Sequence, residues 1–396
     1  MALVPKNTST LTLPEFNLEC GVSLRQVDVV YKTWGTFNRA RNNVMVICHP
    51  FTGSVDVDDW WNPLFGCGKA LDPTRFLIFC ANVLGSPFGT ASPMSTDPVT
   101  GRPYGPEFPP TTLRDDVRLH KLILDHLGAT SVAAVIGGSM GGMTALEWPL
   151  CFPEYVRRVV PMATCAKQSA WCIAWGEAQR QTIASDAAFD GGYYAPQYPP
   201  MNGLAAARMA GLLTYRSRDS YEARFGRNVM AQALPLCNAQ KGSENGCAST
   251  GIASAHGHPG DEWHPTYSAQ SYLRYKGRAF ADKFDANCYV HITHKMDTHD
   301  LARGRVSEAV DDAAALEHVL GTLPPRALVI SIDSDGLCPP HEQKTLADGM
   351  PDAQLVVIDS LAGHDGFLVE GERINAIVLE YLRHELEELY VDVRDA

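Results

Sequence analysis

Residues 137–141 read Gly-Gly-Ser-Met-Gly, a G-x-S-x-G pattern centred on Ser139. A serine hydroxyl is a weak nucleophile; it needs a base to take its proton and an acid to orient that base. Taken alone the pattern also describes glycine-rich turns that do no chemistry. The surroundings decide between the two. Ser139 follows an apolar run at 132–136 and precedes a helical stretch at 142–150. A strained strand-to-helix turn projects the hydroxyl, and flanking glycines let strand and helix approach closely. The chemistry expected is acyl transfer with Ser139 as nucleophile.

On a scaffold of this kind the acid and the histidine follow the serine in the chain, in loops after late strands. Of thirteen histidines, His341, His364 and His384 lie far enough along, and His364 directly follows an apolar run ending at 358. His364 is therefore the expected base. For the acid, the segment S-I-D-S-D-G-L at 331–337 offers Asp333 and Asp335, and spacing alone does not separate them. A developing oxyanion needs preorganised backbone N–H donors. One is expected from Met140. The other is expected from the loop His49-Pro50-Phe51-Thr52-Gly53, where Pro50 has no N–H and Phe51 or Thr52 must donate.

These residues require a sheet and helices to hold them. Continuous apolar runs at 44–48, 76–80, 132–136, 327–330 and 355–358 alternate with helical patterns, as in a parallel sheet buried on both faces. Thr112 with Asp115 reads as a capping box and Gly128 as the stop of the intervening helix. A terminal amphipathic helix spans about 372–390. From about 165 to 322 the strands drop out, and 238–265 is rich in Gly, Ser, Ala and His. The expected organisation is an α/β core (1–164 and 323–396) interrupted by a helical cap (165–322) carrying a flexible insertion at 238–265.

Composition narrows the partners. The 396 residues carry a formal charge of -12, which argues against nucleic acid or an anionic membrane as partner. The first ten residues hold one lysine and no signal-like apolar run, and no stretch is long and apolar enough to span a bilayer. Eleven cysteines, with no C-x-x-C pair, read as buried small side chains in a reducing, cytoplasmic setting. No metal site is expected: His256, His258 and His264 lack carboxylate or cysteine companions. His299 is expected to order a helix end, Trp60 and Trp61 to pack, and Cys338 to be unreactive.

Longer strings carry a resemblance to a known family. G-G-S-M-G-G-M-T-A-L-E-W at 137–148 is close to the elbow of the homoserine O-acetyltransferases. YKTWG (31–35), C-H-x-x-T-G (48–53), YGPEFP (104–109), RDDVR (114–118), FDANCY (284–289), MDTHDLARGR (296–305) and GHDGFLVE (363–370) continue it across nearly the whole chain. SAWC, EAQRQ and LTYRSR are similar to the fungal-type branch, which also resembles deacetylcephalosporin C acetyltransferase. The resemblance implies an α/β-hydrolase fold with an inserted helical cap. It implies transfer of acetyl from acetyl-CoA to L-homoserine through an acetyl-serine, in methionine biosynthesis, by a homodimer with no tightly bound cofactor. It matches Ser139, Asp335 and His364 to the triad, and Phe51 to the oxyanion donor, with a bulkier side chain than the family's usual Leu. Arg208, within G-L-x-x-A-R-M at 203–209, corresponds to the ligand of the substrate carboxylate. Asp365 corresponds to the ligand of its ammonium. The rivals are a different acceptor (serine or a deacetylcephalosporin-like alcohol), succinyl-CoA as donor, or hydrolysis.

Overall fold

The computed structural model describes residues 4–230, 266–307 and 310–391; the 238–265 insertion expected from composition lies outside them. Eight strands make one sheet: β1 (Ser9–Asn17), β2 (Ser23–Trp34), β3 (Val44–Cys48), β4 (Leu77–Ala81), β5 (Val132–Gly138), β6 (Val156–Met162), β7 (Leu328–Ile332) and β8 (Gln354–Ile358). Their spatial order is β1-β2-β4-β3-β5-β6-β7-β8. The first two strands run antiparallel to their neighbours, and the rest pair in parallel.

The apolar runs are continuous because these strands are covered on both faces. Val44, Val46 and Cys48 of β3 enter one core with Phe79, Val135, Val159 and Val329. Met45 and Ile47 enter the other with Ile78, Ile136, Val160 and Ile330. Period-two alternation therefore persists, with an apolar residue demanded at both phases. Edge strand β8 is the exception, leaving Val357 half exposed.

Helices α1 (Val57–Trp60), α2 (Leu113–Leu127) and α3 (Met140–Cys151) precede β6. Helices α4 (Ala170–Ala184), α5 (Met201–Tyr215), α6 (Arg218–Phe225), α7 (Ser268–Ala281), α8 (Ala286–Asp297) and α9 (Asp312–Leu320) lie between β6 and β7. Helices α10 (Pro340–Gly349), α11 (Gly366–Val369) and α12 (Gly371–Glu385) complete the described chain. Thr112 and Asp115 form the expected capping box on α2, and Gly128 ends it in the left-handed conformation at φ 83°. Of the segment assigned to the cap by sequence, α9 packs Val319 and Leu320 into the core of the sheet.

The RDDVR string is explained by packing. Asp115 caps α2 and accepts the N–H of Glu19 at 2.8 Å. Asp116 accepts the N–H of Leu84 at 2.8 Å and meets Lys295 of α8 at 2.6 Å, with both side chains fully buried. Arg114 pairs with Glu147 on α3 and donates to the Asp300 carbonyl at 3.0 Å. A buried pair of this kind holds cap against core, because losing either partner strands a charge in the interior. Phe51, Met140, Met143, Leu204, Phe284 and Tyr289 fill the apolar seam beside it. No helix among the described residues is long and apolar enough to cross a membrane.

Candidate active site

Ser139 sits where β5 turns into α3, with φ 58° and ψ -128°, a conformation costly for a residue with a side chain. The turn is over-determined. The Ser139 N–H donates to the Met162 carbonyl at 3.0 Å, and its own carbonyl accepts from Gly142, Met143 and the Thr164 hydroxyl. Gly141 is required because a Cβ there would collide with the carbonyl of Cys48. The glycines of the elbow thus let α3 start against β3, and they fix the direction of the Ser139 hydroxyl.

Three elements converge on that hydroxyl. His364 stands in a short turn after β8, and its Nε2 lies 2.8 Å from Ser139 Oγ. Its Nδ1 lies 2.8 Å from Asp335 Oδ2, in the loop after β7. Asp335 Oδ1 accepts the N–H groups of Leu337 and Cys338 at 2.8 and 2.9 Å. Of the two aspartates that spacing left open, Asp335 is the one that lies against His364. Asp333 is exposed and accepts the Ser360 N–H at 2.9 Å, as a turn residue does. His341 and His384 are exposed.

With Nδ1–H facing Asp335, His364 presents a bare Nε2 lone pair to the Ser139 O–H. Burial opposes the charged ring, but the Asp335 carboxylate outweighs it and holds the His364 pKa above its ordinary value. The charged ring's pairing contributes to stability below the ordinary histidine pKa and is lost as pH rises through the raised one. Base function has the opposite sign, since only the neutral ring takes the serine proton. The acid limb of kcat/KM for the acyl donor is therefore expected to titrate above 6.5. A limb below that value in the pH–rate profile of the free enzyme would contradict this electrostatic account.

Met140 is the first residue of α3, so its N–H, directly after Ser139, precedes the first intrahelical bonds. Phe51 lines the same pocket from the loop after β3, and its ring packs edge-on against Tyr289. Sequence reasoning missed the residue that orients this loop. His49 accepts the Val83 N–H on Nε2 at 3.2 Å, so its Nδ1–H donates to the Pro50 carbonyl at 2.9 Å. Burial lowers the His49 pKa to about 4, which keeps the ring in this neutral tautomer. Its position directly after β3, beside the proposed oxyanion donor, was the available signal.

The cleft in front of Ser139, between core and cap, spans about 850 Å³ of empty space, the solvent at its open mouth included. Arg208, on α5, enters it over the Phe280 and Tyr215 rings at 4.7 and 5.4 Å and reaches Thr52 Oγ1 at 3.5 Å. Asp365 also lines it, and Arg216, just past the end of α5, meets its carboxylate at 2.8 Å. Burial pushes the Asp365 pKa up, with Arg216, His364 and Arg208 opposing. Arg216 was not foreseen, because a lone arginine in a cap gives no sequence signal of what it faces. The pocket thus presents Ser139 together with the Arg208 cation and two carboxylates, Asp365 paired with Arg216 and Asp297 paired with Arg180.

Gly363, at φ 72°, is needed beside His364 because any Cβ would meet the backbone of Ser217. The remaining sequence expectations separate cleanly. Trp61 is fully buried and packs on Trp60 at 4.9 Å. His299 Nε2 bonds the Cys165 carbonyl at 3.0 Å, just past the end of α8. His256, His258 and His264 lie outside the described residues.

The family described as the alpha/beta hydrolase fold matches residues 43–371. The chain is similar to a homoserine O-acetyltransferase of Cryptococcus neoformans var. grubii, 45% identical across 96% of this chain and 88% of that one. A homoserine O-acetyltransferase of Saccharomyces cerevisiae is 44% identical across 94% of this chain and 85% of its own. Among solved structures, a Staphylococcus aureus homoserine O-acetyltransferase superposes with a TM-score of 0.70 at 26% identity, covering 95% of each chain. Esterase E22 superposes with a TM-score of 0.78 at 25% identity, covering 95% of this chain and 99% of its own. Identity above 40% across almost the full length, on this fold and with this elbow, places the chain in the homoserine O-acetyltransferase family.

Proposed function

We propose that the protein transfers acetyl from acetyl-CoA to the hydroxyl of L-homoserine, with Ser139, His364 and Asp335 as its triad. The observation that carries this reading is the unbroken Ser139–His364–Asp335 hydrogen-bond chain, opening into a pocket that also holds Arg208 and Asp365. His364 takes the proton from Ser139 as Oγ attacks the thioester carbonyl. The N–H groups of Met140 and Phe51 hold the oxyanion, and His364 returns the proton to the departing CoA sulfur. Homoserine then enters, His364 deprotonates its hydroxyl as that oxygen attacks the acetyl carbonyl, and His364 gives the proton to Ser139 Oγ as the Oγ–acyl bond breaks. Water competes for the acetyl-serine. The bound hydroxyl wins by effective concentration while the cap limits solvent entry.

In this reading the homoserine carboxylate takes the fork of Arg208, and its ammonium faces Asp365. Arg216 sets how much of the Asp365 charge is offered to the amine. Arg208→Ala is expected to raise KM for homoserine roughly 10- to 100-fold, the worth of a charge-assisted hydrogen-bonded pair. Acetyl-serine formation from acetyl-CoA should proceed as before. Arg208→Lys should recover only part of the loss, since a point charge cannot reproduce the fork. Equal damage to both half-reactions would remove Arg208 from the acceptor site.

Hydrolysis is the second reading, because the same fold and coverage appear in esterase E22. Following thiol release from acetyl-CoA and succinyl-CoA with homoserine, serine, deacetylcephalosporin C or water as acceptor decides between them. Thiol release that does not depend on added homoserine would overturn the transferase reading. A homodimeric assembly in the cytoplasm belongs to the same proposal.

A further inference from the structure

Behind the Asp335 turn lies a cluster that the chemistry above does not use. Cys165 follows β6, Cys338 closes the Asp335 turn, and Glu342 stands in the first turn of α10. One ligand atom from each lies within 4.8 Å of the others, the one grouping of this kind among the described residues. The Cys338 thiol also contacts that of Cys172, near the start of α4, whose Sγ donates to the Leu337 carbonyl at 3.2 Å. All three thiols are buried.

Buried free cysteines often act only as small apolar side chains. That role does not account for Glu342. Among the described residues its buried Oε2 has no hydrogen-bond partner, and it lies close to a second carboxylate, Asp335. An unsatisfied buried acceptor costs about 1–3 kcal/mol. Two sulfurs and one oxygen lie around a common point, with the Cys172 sulfur against that of Cys338, and thiolates with a carboxylate are donors that a soft, four-coordinate ion accepts. Such an ion takes thiolates at about 2.3 Å and carboxylate oxygens at about 2.1 Å. Cys172 and Cys338 also line the substrate pocket, which gives an ion a route inward.

We propose that Cys165, Cys338 and Glu342, with Cys172 as fourth ligand, bind one thiophilic divalent cation of the zinc class, and that the bound ion inhibits the enzyme. Each ligating thiol gives its proton to solvent, no electron is exchanged, and binding tightens as pH rises. Inhibition follows from the shared turn. The Cys338 N–H holds Asp335 Oδ1 at 2.9 Å, so drawing the Cys338 sulfur onto a metal displaces the group that orients His364.

The test titrates the full-length enzyme, stripped with chelator and free of substrate, with Zn²⁺ for affinity and Co²⁺ for a thiolate-to-metal absorption band. Turnover is measured in parallel. Cys165→Ser and Glu342→Gln are the variants, since neither residue lines the pocket and both should keep metal-free turnover. Wild type should show the band, bind one zinc tightly and lose activity as it fills. Each variant should weaken binding and inhibition roughly tenfold or more. Absence of the band overturns the site. So does unchanged zinc affinity in both variants, which would put the ion on His364 or on exposed Cys20 or Cys67. Tight binding with full activity overturns the inhibitory role. The band is read without substrate, so its failure is distinct from failure of the acetyl-transfer reading.

Discussion

Ser139→Ala is expected to lower kcat by about 10⁶, the scale seen when a triad nucleophile is removed. The loss should fall on the first half-reaction. Without Oγ there is no acceptor for the acetyl group, and Nε2 of His364 faces a methyl group where it faced a hydroxyl at 2.8 Å. The fold should survive, because the backbone bonds that hold the elbow come from main chain and Thr164, not from the serine side chain. Alanine meets the same strain at φ 58° that serine already bears. The measurement is intact-protein mass after brief mixing with acetyl-CoA and no acceptor. Wild type should gain one acetyl group and the variant none, with thermal midpoints close together. An acetylated alanine variant, or turnover within an order of magnitude of wild type, would remove Ser139 from the mechanism.

Much of this geometry was written locally in the chain. The central strands announced themselves because burial on both faces leaves no polar alternation, and α2 because both its caps are short-range chemistry at Thr112, Asp115 and Gly128. Strand β1 did not, since an edge strand alternates weakly and six of its nine residues are exposed to solvent. The elbow was legible for the same local reason: two glycines and a serine between strand and helix have few other uses. Its partners were less so. Asp333 and Asp335 differ by two positions and one loop turn, and only the third dimension turns Asp335 to His364 and Asp333 to the Ser360 backbone. Arg216 on Asp365 was missed because it acts across elements, where spacing carries no information, whereas His49 carried a local signal in its place after β3 and only its bond from the Val83 N–H comes from afar. The Lys295–Asp116 latch joins residues 179 apart and belongs to that class too.

Asp335→Asn should cost about 10⁴ in kcat while changing one atom. The argument rests on which way the amide must point. Leu337 and Cys338 both aim N–H groups at Oδ1, so the variant's carbonyl oxygen has to stay there and its NH₂ must replace Oδ2. That NH₂ is a donor, and it faces His364 Nδ1 at 2.8 Å. To accept from it, the imidazole has to carry its proton on Nε2, toward Ser139. The base then meets the serine hydroxyl with a hydrogen in place of its lone pair. Flipping the amide would restore the tautomer, but it would set NH₂ against two backbone donors at a side chain that is almost fully buried. Asp333→Asn is the matched control. It makes the same chemical change in the same loop, exposed to solvent, and should leave kcat near that of wild type. Proton NMR of the imidazole should report Nδ1–H in the wild type and Nε2–H in Asp335→Asn. If the two aspartate variants fall equally, or if Asp335→Asn keeps the Nδ1–H tautomer, Asp335 is not the residue that orients the base.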